Sequence, residues 1–237
     1  MSKSVVTIRE LYKSLVISHE NIFPFSERRQ LKFLLRKCII NENFTRDQIT
    51  TFTSGKLAIV NAVLNEAGLG KSAVLSVLFQ EFIQKNTITV TEIENTFSTN
   101  ISTITKGLIR VRELYERNTS LESENFRKLL LTFAEDVRVI LIIIASQLCR
   151  MRERDNEAED VRIQVARERS FLYAPVAHRM GLYKIKTELE DLSLKHTNRD
   201  IYRDIARKLN ETKRSRDIYI DEFITPLREK QIGRAHV

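Results

Sequence analysis

The stretch LIIIASQLCRMR, Leu141 to Arg152, carries Ser146, Gln147, Cys149 and Arg150 directly behind a strongly apolar run, where a helix would pass from core to cleft. That position could hold a reacting group or a ligand. Nucleophilic chemistry is not indicated, because neither a Ser-His-Asp nor a Cys-His constellation can be assembled and Cys149 reads as a small core hydrophobe. A second candidate is NEAGLGKSAV, where Gly70-Lys71-Ser72 resembles the end of a phosphate-binding loop. Such a loop needs a glycine five residues before the second one, where Asn65 stands, and a preceding strand, whereas Leu57 to Leu64 has helical spacing. The segment therefore predicts a helix-turn-helix connection. His19, His178, His196 and His236 have no partner at metal-ligand spacing, and the carboxylates fall on solvated helix faces. From residue types alone no catalytic site is in view.

The elements that would position these residues are helical. The chain has 237 residues with only 6 Gly and 3 Pro and no Trp, too little turn punctuation for a sandwich or barrel. Two cysteines, Cys38 and Cys149, suit a reducing compartment. There is no 18-residue apolar run and no signal-peptide pattern in MSKSVVTIRELYKS, so no membrane partner is expected and the expected location is cytoplasmic. The net charge of +8 comes from bases interleaved with acids, as in RERDNEAEDVRIQVARER. That pattern is a solvated face, and charge alone would supply only nonspecific phosphate contacts, so direct DNA binding is not expected.

Apolar spacing predicts amphipathic helices almost throughout. Ile8, Leu11, Tyr12 and Leu15 mark the first. A second opens at Ser26 as N-cap and buries Leu31, Leu34, Leu35 and Cys38. Leu57 to Leu64 and Ala73 to Phe82 form a pair joined by GLG, with Gly68 in the left-handed conformation. Thr91 to Phe97 and Ile101 to Tyr115 follow, then a nearly continuous helix from Glu122 with a break between Thr132 and Asp136. Glu157 to Met180, Leu182 to Lys195 and Arg199 to Arg228 complete the set, with Pro175 expected to kink its helix.

Three stretches carry a family resemblance: SLESENFRKLLLTFAEDVRVILIIIASQLCRMR, RERSFLYAPVAHRMGLYKIKTELEDLSLKH and IARKLNETKRSRDIYIDEFITPL. Together they resemble the N-terminal half of the long RelA/SpoT homologues, which make and degrade the alarmone (p)ppGpp. The match is strong from Leu121 to Leu227 and weaker back through AGLGKSAVLSVLFQEF and VTEIENTFS. The resemblance implies an all-α, HD-domain-like bundle over residues 1–155. A helical linker over 156–230 would lead to a synthetase domain. Active relatives are manganese-dependent and remove the 3′-pyrophosphate.

In the register of that resemblance the hydrolase site is lost. The family's Lys-Leu-Ala-Asp-Arg-Leu-His-Asn-Met-Arg falls on Ile143 to Arg152, so the metal-binding Asp is Ser146, the Asn near the nucleotide is Arg150 and a basic residue is Ile143. The His-Asp pair falls on Phe79 and Gln80, and the Glu-Asp pair on Ile83 and Gln84. The first metal histidine would lie near Lys56, and no His stands between His19 and His178. Manganese needs hard anionic and imidazole ligands to offset its dehydration and to acidify water. With Phe, Gln, Ser and Lys in their place, no cofactor is expected, and Phe79 and Ile143 are expected to fill the pocket.

The implied function is therefore regulatory: a silent HD domain that restrains or relays signals to the synthetase of a stringent-response protein, with the synthetase domain as partner and the ribosome as a further one through the full-length protein. The rivals are a hydrolase with residual manganese-dependent activity and a basic helical module that binds RNA or the ribosome directly. The closing QIGRAHV, residues 231–237, can be encoded by sequencing-adapter text. It is expected to be an artefactual tail in which Arg234 and His236 have no role.

Overall fold

The computed structural model describes residues 12, 13, 15, 16, 22–117, 136–153 and 158–232. Among the described residues the chain is helical without strands, as the sequence predicts: an all-α bundle followed by long helices. The helices are α1 (Phe25–Asn41), α2 (Arg46–Asn61), α3 (Lys71–Gln84), α4 (Val90–Thr96) and α5 (Thr99–Arg117). Beyond them come α6 (Val137–Arg152), α7 (Glu159–Arg179), α8 (Tyr183–Thr197) and α9 (Arg199–Ile232).

Local chemistry sets most boundaries. Thr45 and Gln48 form a capping box that starts α2, and Thr89 with Glu92 does the same for α4. The second predicted helix starts earlier than expected. Pro24, not Ser26, occupies its N-cap, because proline's fixed φ and missing N–H suit the position before a first turn. α2 runs into a π-helical turn, Ala62–Glu66, capped by Ala67 and followed by Gly68 with φ 67, the left-handed conformation expected there. Asp136 caps α6 by accepting from the Arg138 backbone N–H at 2.9 Å. The helix therefore begins just after the predicted break, whose other residues lie outside the described ones, as do the stretch Glu122 to Ala134 and the expected domain boundary near residue 155. α7 continues through Pro175 to Arg179.

The core centres on α3, which buries Ala73, Val74, Leu75, Val77, Leu78, Phe79 and Phe82. Phe52 and Phe82 have ring centroids 5.3 Å apart, and Phe79 joins them 6.5 Å from Phe82. α5 packs along α3. α6 lies against α2, the π turn, α5, α7 and α8. Gly107 on α5 permits the closest approach, since a Cβ there would lie 2.6 Å from Val139 Cγ2. At the far end of α6, Arg152 donates to Glu188 at 2.6 and 2.7 Å and to Glu66 at 3.0 and 3.1 Å, joining three elements. α9 packs against α8 and leaves Ile201, Ile205 and Leu209 exposed.

Candidate functional site

A cavity of about 340 Å³ opens between α2, α3, α5, α6 and α7. α6 supplies Ile142, Ser146 and Arg150 from one face, at i, i+4 spacing, with Ile143 and Gln147 beside them. Lys56 and Ile59 come from α2, Gln80 and Glu81 from α3, Leu108, Val111 and Arg112 from α5, and Arg169 and Tyr173 from α7. LIIIASQLCRMR does pass from core to cleft at Ser146 and Gln147.

The structure gathers part of the expected site. Gln80, Ser146, Arg150, Ile143 and Lys56 line the cavity. Phe79 does not: one residue is about 100° of helical turn, which sends Phe79 into the core with no exposure while Gln80 faces the cavity. Ile83, one turn further on, packs against the same core. Gln84 is not among the lining residues and accepts from Arg112 Nη1 at 2.9 Å. The expected apolar filling is thus limited to Ile143, and the cavity stays open.

Lys56 is the most unusual group in it. Its side chain is buried, with Nζ 3.4 Å from Glu81 Oε1 and 5.5 Å from the centre of the Phe52 ring. Burial pushes the amine's pKa down. Glu81 opposes that shift, and the Arg150 and Arg112 guanidiniums reinforce it. The Ser146 hydroxyl is already committed, donating to the Ile142 carbonyl at 2.7 Å. Glu81, Arg112, Arg169 and Tyr173 were not singled out by the sequence. The two arginines sit in mixed-charge stretches that look like any solvated face, and no linear signal brings them together.

The lining does not fit a hard divalent cation. It offers one carboxylate, already facing an ammonium, with amides and an engaged hydroxyl besides. Among the described residues no three His, Cys, Asp or Glu side chains cluster as metal ligands. The remaining candidates are structural. Burial raises the thiol of Cys149 to about 11 and that of Cys38 to about 12. His196 is buried with Nε2 3.1 Å from the Met151 carbonyl, and His178 meets the Tyr183 ring edge-on at 5.5 Å. His19 and His236 lie outside the described residues. Lys71 of the GLGKS segment donates to Glu27 at 2.8 and 2.9 Å. No described helix is long and apolar enough to cross a membrane.

Comparison with known proteins agrees with this architecture. The HD domain family matches residues 40–183. A GTP pyrophosphokinase of Myxococcus xanthus is 31% identical over 74% of this chain and 24% of its own length. The GTP pyrophosphokinase rsh of Brucella suis biovar 1 is 35% identical over 64% of the chain and 20% of its own length. The guanosine-3′,5′-bis(diphosphate) 3′-pyrophosphohydrolase of Aquifex aeolicus is 28% identical over 72% and 24%. The chain thus spans about a quarter or less of the length of these curated relatives. Fold, family match and relatives coincide on one assignment: the chain belongs to the HD domain family and is an HD region of the RelA/SpoT type.

Proposed function

We propose that this HD region has lost (p)ppGpp hydrolysis and acts as a regulatory part of a (p)ppGpp synthetase. The observation that carries the reading is the cavity lining, where Lys56, Gln80 and Ser146 stand in place of the ligands the family resemblance requires. An ammonium repels a divalent cation, an amide binds it weakly, and neither generates a metal-bound nucleophile at neutral pH. The apolar stripe of Ile201, Ile205 and Leu209 along α9 supports a relay role. At about 1.5 Å per residue α9 extends roughly 50 Å, a stiff lever toward a following synthetase domain.

The test is to incubate the chain with ppGpp and manganese and to follow pyrophosphate release. The expected outcome is a flat time course at manganese concentrations that saturate an active relative. Manganese-dependent release would overturn the reading and favour a residual hydrolase. Sequencing the source gene through the codon for Lys230 tests the connection to a synthetase, which is expected to follow in frame.

A further inference from the structure

α1 turns Leu31, Leu34, Leu35 and Cys38 inward and a second apolar set outward. Phe25 is 87% exposed, Phe33 67% and Ile40 50%. At about 100° of turn per residue, these three share a sector of about 100° with Arg29, Lys32 and Arg36, over roughly 22 Å of helix. Apolar side chains gathered in one stripe mark a contact surface, and aromatics with arginine are the composition of interface centres. The charge on this face is uncompensated. The carboxylates on α1, at its C-cap and against it are taken by lysines: Glu27 by Lys71 at 2.8 Å, Glu42 by Lys85 at 2.7 Å and Glu92 by Lys37 at 2.5 Å. Lys32 lies 5.7 Å from the centre of the Tyr12 ring. Among the described residues Arg29 and Arg36 have no ion pair. Beside Phe33 a groove of about 470 Å³ opens, lined by Arg29, Phe33 and Leu34 from α1 and by Glu92, Asn95 and Thr96 from α4.

We propose that the outer face of α1, with the groove toward α4, docks an acidic amphipathic helix of a partner protein. Arg29 and Arg36 stand about 10 Å apart along the axis, the spacing of two carboxylates two turns apart on a facing helix. Each guanidinium can take one of them in a bidentate pair. Apolar side chains between those carboxylates enter the groove beside Phe33 and cover Phe25 and Ile40. A lipid surface suits the face less well, because Arg29 and Arg36 fall inside the angular sector bounded by Phe25 and Phe33 and would be carried in with them. Two unpaired guanidiniums are few phosphate contacts for a nucleic acid, and Ile40 offers no stacking plane. The groove shares no lining residue with the cavity between α2, α3, α5, α6 and α7, so this inference stands apart from the loss of hydrolysis.

The experiment is fluorescence anisotropy of a labelled synthetic peptide titrated with the full chain. The peptide is a helix of about five turns, made of glutamate and alanine with leucine at i, i+4 and i+7 spacing. Saturable one-to-one binding is expected, weakening at least tenfold from low to high salt as the charges are screened. Phe33→Ala and Arg29→Glu, both at exposed positions, are each expected to weaken it at least tenfold with unchanged thermal melts. Arg207→Glu on α9, whose arginine pairs with Asp204 instead, is expected to leave it unchanged. No binding, equal binding of a peptide of the same composition in scrambled order, or equal loss in the Arg207 variant overturns the proposal. Tighter binding of poly(U) or of phosphatidylglycerol vesicles than of the peptide, lost in the same variants, overturns it in favour of a nucleic acid or a membrane. A dimer of the chain in sedimentation that Phe33→Ala abolishes overturns it in favour of a second copy.

Discussion

Lys56 Nζ lies 3.4 Å from Glu81 Oε1, so a buried ammonium and a half-exposed carboxylate share the wall of the cavity where the family resemblance calls for metal ligands. The pair explains why a lysine is tolerated inside an apolar bundle. Glu81 offsets part of the desolvation that burial imposes, and the Phe52 ring face, 5.5 Å away, supplies a further weak attraction.

That relationship has a pH signature. The Lys56 amine is pushed below the ordinary lysine value of about 10.4, so the unfolded chain binds the extra proton in the window between the folded pKa and that value. Stability of the native chain is therefore expected to rise with pH through this window. Lys56→Met removes the group and should flatten the rise. Urea midpoints of both proteins from pH 7 to pH 10 check this. Parallel curves would refute it.

At the crossing of α5 and α6, Gly107→Ala places a methyl group 2.6 Å from Val139 Cγ2. Alanine's helix propensity favours the change by about 1 kcal/mol, but overpacking against a stiff β-branched side chain costs about 1–3 kcal/mol. The variant should be net destabilised, and Val139→Ala in the same chain should recover most of the loss. Thermal melts of the single and double variants decide it.

Restoring one family residue should harm this chain. Phe79→His puts an imidazole into an apolar core away from the cavity, at a position with no exposure. The expected loss is about 2–4 kcal/mol, with no gain in manganese affinity. Gln80→His, on the cavity side, should cost much less. A comparison of denaturation midpoints separates the two.

Asp136 caps α6, and the Arg138 guanidinium beside it holds its carboxyl below the usual aspartate range. Its contribution is present above the unfolded pKa and lost as pH falls through the lower folded one. Asp136→Ala should cost about 1 kcal/mol at pH 7. Asp136→Asn should keep the cap but lose the acid dependence, which guanidinium unfolding at pH 7 and pH 3 would show.

The helical class, the order of the helices and the turn at Gly68 were legible in the sequence, because 3.6-residue periodicity and glycine's access to positive φ are local properties of the chain. The positions that the family resemblance assigns to metal ligands follow from the sequence alone, since a motif is compared residue by residue. What only the tertiary structure decided is where those residues point. Phe79 and Gln80 are neighbours in sequence, yet one is core and the other cavity wall, a consequence of how α3 is rotated against α5 and α6. Arg112 and Arg169 lie far apart in the chain among mixed charges, and nothing in their spacing marks them. Their meeting with Lys56 and Arg150 comes from packing of separate helices, and a long-range electrostatic cluster of that kind exists only once the helices are docked.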